Sequence, residues 1–194
     1  MKPVIQPGDQ TLGNANGPLQ VICYGDYLSP ASREMHFTLS RLLRTFKESL
    51  LYAFRPFPQP RKYAQSLLAA RAVEAAGRQD QYWPMHYALF RHRGKLDLDA
   101  LHDLACTLGL DQEYFHRDLH DPDLSLGLLA GVEESRRLGV RSAPTLFVDG
   151  VLQPHPHALQ QQLERGHLPQ SRINIIGKVD PLLGTVYWGQ WPGL

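Results

Sequence analysis

The sequence predicts an α/β fold with a block of helices inserted in its middle, and three observations carry that reading. A short apolar run in "LQVICYGDY" is followed by a helical pattern and at once by a second strand-like run, "LLYAFRPFP", which is the order of a parallel strand pair joined by one helix. The stretch between Pro60 and Val140 carries helical spacing only. Strand character then returns in "APTLFVDGVLQ", where Asp149-Gly150 is a strong hairpin-turn signal.

Each element follows from its residues. The first 18 residues, rich in Gly, Pro and Asn, read as an extended N-terminal arm. Val21, Ile22, Cys23 and Tyr24 form a run without alternation, which marks a central strand covered on both faces. From Ser29, the apolar positions Met35, Leu39, Leu42, Leu43 and Phe46 recur at three to four residues and define a helix ending near Ser49. The helical block, placed over residues 61–140, divides into "RKYAQSLLAARAVEAAG", "QYWPMHYALFRH", "DLDALHDLACTLGL", "DQEYFHRDLH" and "LSLGLLAGVEESRRLG". Gly77, Gly94, Gly109 and Gly139 stand at helix ends, and Asp97 and Asp111 at helix starts. After the hairpin comes a short helix, "HALQQQLERG". The arrangement assigns 19–60 and 141–166 to one α/β domain and leaves 167–194 as a β-like extension. That extension contains "RINIIGKV" and "TVYWGQW", whose apolar side chains need cover, so residues 168–194 are expected to lie on a sheet edge or to pair two copies of the chain as a homodimer.

Composition narrows the function classes. Twenty basic residues against nineteen acidic ones leave a net charge of +1, which provides no electrostatic footprint for nucleic acid or for an anionic membrane surface. No apolar run reaches spanning length, and the N-terminal Pro and Gly interrupt any signal-peptide core, so a cytoplasmic location is expected. Two cysteines are too few for a disulfide scaffold; Cys23 and Cys106 are both expected as small buried hydrophobes, with Cys106 in an apolar helical setting. No metal site is expected. His155-Pro156-His157 and the i, i+4 pair His116/His120 each offer two ligands without a third, which reads as solvated surface. Tyr82, Trp83, Met85, Tyr87 and Phe90 form an aromatic-rich stripe at helical spacing and are read as core.

The segments "YGDYLSPASRE", "FRPFP", "GVRSAPTLFVDG" and the helical run from Ala69 to Leu119 resemble, in order and spacing, the DsbA-like thioredoxin-fold oxidoreductases. The resemblance covers roughly residues 11–166 and implies a thioredoxin fold with an inserted helical subdomain. In that family the strand-to-helix junction reads Cys-Pro-x-Cys; here the same place holds Ser29-Pro30-Ala31-Ser32. The family also keeps a proline with a cis peptide bond before a later strand, which implies Pro144 in this chain, with Ala143 and Thr145 presenting backbone to a bound peptide or glutathione.

The family's chemistry says what the substitution removes. A helix N-terminus lowers the first cysteine's pKa, its thiolate attacks a disulfide, and the second cysteine resolves the mixed disulfide. A serine hydroxyl forms no disulfide and is a poor nucleophile at its free pKa. Cys23, six residues before Ser29 on a strand rising about 3.3 Å per residue, lies roughly 20 Å back and cannot substitute. Ser29 is also a preferred N-cap and Pro30 a preferred first helical residue, with Glu34 adding favourable charge in the first turns, so helix initiation alone accounts for this dipeptide.

The site is therefore expected at Ser29 and Ser32, the positions of the family's cysteines, with Pro30, Ala143, Pro144 and Thr145 as the binding groove. The expected activity is binding of a peptide or small thiol without disulfide exchange, with no resident cofactor. "DYLSPAS" also resembles the kappa-class glutathione transferases, which implies the alternative of a glutathione-dependent transferase or isomerase whose Ser29 hydroxyl donates to a bound thiolate.

Overall fold

The computed structural model describes residues Lys2–Gln153 and Leu159. Among the described residues, five strands and six helices follow in the order β1 (Thr11–Gly13), β2 (Leu19–Gly25), α1 (Pro30–Phe46), β3 (Leu50–Pro56), α2 (Ser66–Gly77), α3 (Tyr82–Arg91), α4 (Leu98–Thr107), α5 (Gln112–Leu119), α6 (Pro122–Arg137), β4 (Thr145–Val148) and β5 (Val151–Gln153). They build one sheet in the order β1-β3-β2-β4-β5. β2 and β3 are parallel, joined through α1, and β4 and β5 are antiparallel additions on the far side of β2. The expected α/β arrangement with inserted helices is the one observed. The short C-terminal helix is represented by buried Leu159 alone, and the extension 167–194 with its pairing surface lies outside the described residues, as does His155-Pro156-His157.

β2 is the central strand because both of its faces are apolar. Leu19, Val21 and Cys23 point to one side, where they meet Leu39 and Leu42 of α1 and the helices α2 to α5; Ile22 and Tyr24 point to the other, against Ala53, Val132 of α6 and Phe147. The expected helix stripe is confirmed in α1, where Met35, Leu39 and Leu42 are buried. Tyr82, Met85 and Phe90 are buried core, as expected of the aromatic stripe, whereas Trp83 and Tyr87 are only half-buried. Asp97 and Asp111 cap α4 and α5 by accepting from Ala100 N and Tyr114 N.

Several expectations change. The N-terminal arm is not wholly irregular: Thr11–Gly13 forms β1, antiparallel to β3. Three residues are too few to show a period, so the strand exists through its partner. A Cβ at Gly13, whose φ is +93°, would lie 2.2 Å from the Leu50 carbonyl oxygen, and only glycine fits there. Arg55 then clamps the arm: it donates to both carboxyl oxygens of Asp9, at 2.8 and 2.6 Å, to the Tyr24 hydroxyl and to the Val4 carbonyl. α2 begins at Ser66, later than the sequence pattern, because turns occupy residues 60–65. α6 begins earlier, at Pro122, because Asp121 caps it. Cys106 is exposed, not buried; it sits on the solvent side of α4, while Leu101 and Ala105 supply the buried face. Cys23 is buried as expected, and burial pushes its thiol pKa up to about 12 despite a hydrogen bond with Tyr52.

Two buried titratable features bear on stability. Tyr27, His86 and His36 form a chain through the main core, with Tyr27 Oη 3.0 Å from His86 Nδ1 and His86 Nε2 3.1 Å from His36 Nδ1. The two imidazoles are ringed by Phe54, Trp83, Tyr87 and Phe90, and burial favours their neutral forms, pushing His36 down to about 4 and His86 well below its ordinary value. Glu74 of α2 is pushed up to about 7 by burial, against the opposing pull of Arg78.

These shifts act in opposite directions on stability. His36 has a folded pKa below its unfolded value of about 6.5, so its contribution is complete above pH 6.5 and is lost as pH falls toward about 4. Glu74 has a folded pKa above its unfolded value of about 4.5, so its contribution is present below pH 4.5 and is lost as pH rises through about 7. In denaturant titrations across pH, His36→Phe is expected to flatten the decline between pH 6.5 and 4 relative to the unaltered protein, and Glu74→Gln to raise stability at pH 8 but not at pH 4. An unchanged pH profile in either variant would contradict the corresponding assignment.

Candidate functional site: the β2–α1 junction

The chain leaves β2 at Gly25, turns through Asp26–Leu28 and enters α1 at Pro30. The turn is closed by backbone bonds: Ser29 N donates to Asp26 O at 3.0 Å, and Phe57 N, just beyond β3, donates to Gly25 O at 2.7 Å. Gly25 is constrained because a Cβ there would lie 2.5 Å from the Phe54 ring, which fills the space beneath the junction.

Ser29 caps α1. Its backbone is extended (φ −78°, ψ 121°), and its hydroxyl accepts from Ser32 N at 3.3 Å, with Pro30 at the first helical position. Glu34 lies beyond the first turn, which contains no acidic residue, so its expected charge contribution to initiation is displaced by a turn. The Ser32 hydroxyl accepts from Asp26 N at 3.1 Å. Both serines are buried, at 3% and 2% exposure, while Pro30 and Ala31 are exposed. The two hydroxyls thus lie beneath the surface of the junction, and the exposed part is Pro30-Ala31.

Asp26 is the group that sequence reading missed, and it is the most connected residue of the site. It is 1% exposed. One carboxyl oxygen accepts from Leu28 N at 2.9 Å; the other accepts from Gln59 N at 2.9 Å and from the Ser66 hydroxyl at 2.7 Å. Gln59 N is shared, since it also lies 2.7 Å from Ser66 Oγ. Asp26 therefore ties the turn into α1, the chain leaving β3 and the first residue of α2. The only signal in the sequence is an acidic residue at a strand end, which is common, and its partners are 33 and 40 residues away.

The other half of the expected groove is brought to the same end of the sheet by strand register. Tyr24 of β2 lies opposite Thr145 of β4, so Ala143 and Pro144 continue past the strand beside Gly25 and the junction turn. The Ala143-Pro144 bond is cis. Thr145 Oγ1 donates to Ser142 O at 2.6 Å, and Ala143 makes no backbone hydrogen bond with another described residue. Ser29, Pro30, Ser32, Ala143, Pro144 and Thr145 thus gather at one end of β2. Cys23 and Cys106 are unpaired. A cleft of about 490 Å³ lies elsewhere, between the N-terminal arm, β3 and α6, and none of these residues lines it.

The two kinds of junction residue are expected to differ in energetic weight. Ser29→Ala removes one cap bond and should cost about 1 kcal/mol. Asp26→Ala leaves the Leu28 N–H and the Ser66 hydroxyl without this acceptor, Gln59 N keeping Ser66 Oγ, and should cost about 2 kcal/mol or more, at roughly 1–3 kcal/mol per unsatisfied group. Chemical denaturation of the two variants checks the ranking; equal losses would contradict the role given to Asp26.

Residues 6–165 match the thioredoxin family. A thioredoxin-like oxidoreductase from Silicibacter pomeroyi superposes with a TM-score of 0.73 at 27% identity, over 84% of this chain and 94% of that one. BdbD from Bacillus subtilis superposes at 0.72 with 19% identity, over 84% and 95%, and the thiol-disulfide exchange protein alpha-DsbA2 from Wolbachia pipientis at 0.68 with 20% identity, over 82% and 87%. These last two likenesses are of fold alone. Among curated proteins, a Na(+)/H(+) antiporter NhaA 1 of Mycolicibacterium vanbaalenii is 30% identical over 158 residues, which are 80% of this chain and 26% of the antiporter. The chain spans about a quarter of the length of the curated relatives it matches. No helix among the described residues is long and apolar enough to cross a membrane. Fold, strand order and family match agree: the chain belongs to the thioredoxin family and has the DsbA-like form of its fold, with the helices α2 to α6 inserted between β3 and β4.

Proposed function

We propose that this protein keeps the thioredoxin-family fold without its disulfide exchange, with Ser29-Pro30-Ala31-Ser32 standing in place of a Cys-Pro-x-Cys pair, and that it binds an extended peptide or a small thiol beside Ala143-Pro144-Thr145. The observation that carries this reading is the position of the sulfurs. Exchange needs two thiols at one helix N-terminus, one to attack and one to resolve. Cys23 is buried under α1 with a thiol held in its neutral form, and Cys106 sits on the solvent side of α4. Neither belongs to the junction. Ala143 is itself buried, at 8% exposure, but its backbone makes no hydrogen bond to another described residue and its neighbours Pro144 and Thr145 are half-buried, which supports binding by strand-like addition, in which main-chain hydrogen bonds supply affinity.

A glutathione-dependent reading has one observation in its favour. The Ser29 hydroxyl accepts from Ser32 N and donates to no described residue, so its proton is available to a thiolate held at the helix N-terminus. Its burial, at 3% exposure, weighs against that role, because a ligand sulfur would have to reach a hydroxyl beneath the surface. Peptide or thiol binding along the exposed rim is the better-supported reading.

In an insulin-reduction assay the protein is expected to show no turnover above buffer, and the Ser29→Cys/Ser32→Cys double variant to gain it, since the fold already supplies the helix N-terminus. Turnover by the unaltered protein would overturn the proposal. Titration of isotopically labelled protein with reduced glutathione, or with the isolated insulin B chain, is expected to shift the Ala143 and Thr145 amide signals. Shifts with glutathione that vanish in Ser29→Ala would instead favour the transferase or isomerase reading.

A further inference from the structure

Away from the junction, α4 and α5 form a helical hairpin whose outer side gathers three imidazoles. The sequence pairs His116 with His120 at one helical turn; the fold adds His102 from the neighbouring helix. His102 Nε2 lies 3.3 Å from His116 Nδ1, and the His116 and His120 rings are 4.4 Å apart at their centres. His102 is held by an edge contact with the buried Phe115 ring, at 5.6 Å between centres.

The distance between the first two nitrogens is informative. Two nitrogens bound at about 2.0–2.1 Å to one tetrahedral zinc are separated by about 3.3 Å, so His102 and His116 already stand at the spacing of one edge of such a site. His120 Nδ1 lies 2.8 Å from the His116 carbonyl oxygen and donates to it. That bond places the proton on Nδ1 and leaves Nε2 with its lone pair, and it is given up when the side chain turns toward the His102–His116 edge. Among the described residues no three metal-ligating side chains yet converge on one point. What is preformed is an edge of two nitrogens, and the third donor is brought in by rotation of the exposed His120 side chain, a motion of nanoseconds or less.

We propose that His102, His116 and His120 form a surface site for a borderline divalent transition-metal cation, of which zinc is the test case. Neutral imidazole suits such ions, whereas magnesium and calcium require oxygen ligands. On binding, the proton shared between His102 and His116 moves to the outward nitrogen of the ring that carried it, and both inner lone pairs turn to the metal. No electron transfer is involved. The site lies in the helical insertion and is independent of the junction groove.

The test is calorimetric titration of the full chain, free of any polyhistidine tag, with zinc chloride. One zinc per chain is expected, weakened at least tenfold in His102→Gln and in His116→Gln, and kept in a His155→Gln/His157→Gln variant, with no response to magnesium. Far-UV circular dichroism checks that the variants fold, and cobalt(II) absorption reports imidazole coordination in the unaltered protein. Absence of zinc binding at millimolar concentration, binding that survives His116→Gln, or binding that disappears in the His155/His157 variant would each overturn the proposal.

Discussion

The buried carboxyl group of Asp26 is the constraint on which the arrangement of this molecule turns. A parallel strand pair ends in three loose segments at one end of the sheet: the turn into α1, the exit from β3 and the start of α2. Each brings an N–H or a hydroxyl that must find an acceptor away from water. Asp26 satisfies all three with two oxygens, and its own backbone N–H is taken by Ser32. The orientation of α1, and with it the direction of its N-terminus, follows from that one hub.

Around it the core is divided by the sheet into two unequal parts. The larger, between the sheet and the inserted helices, encloses the Tyr27–His86–His36 chain within aromatic rings. Tyr27 lies two residues from Ser29, so the helical insertion is coupled to the junction through the same hydrogen-bonded chain. The smaller part, with Tyr24 and Phe147, is closed by α6 and by the N-terminal arm that Arg55 holds down. The arm contributes a strand only because this clamp and the close approach at Gly13 hold it against β3.

At the junction, the Ser29 hydroxyl serves helix capping. Ser29 is spent as an acceptor on the first turn of α1 and is buried, as is Ala143, so the exposed part of the junction is Pro30-Ala31. Neither serine can form a disulfide, and neither cysteine of the chain lies at this helix N-terminus.

By itself the sequence determined the element order from β2 onward, the inserted helices, the Asp97 and Asp111 caps and the place of the junction, since these rest on local signals: apolar spacing, cap residues and turn dipeptides read within a few positions. What only the tertiary structure decided are the contacts between residues distant in the chain. Asp26 with Ser66, Arg55 with Asp9, His86 between Tyr27 and His36, and His102 beside His116 have no period or spacing that announces them. Cys106 shows the same limit from the other side: a small apolar residue in a helical pattern reads as core, and only the rotation of α4 against α5 places it in water. Local propensity is written in neighbours along the chain, whereas burial and polar pairing depend on which surfaces meet, and that is settled only when the whole fold closes.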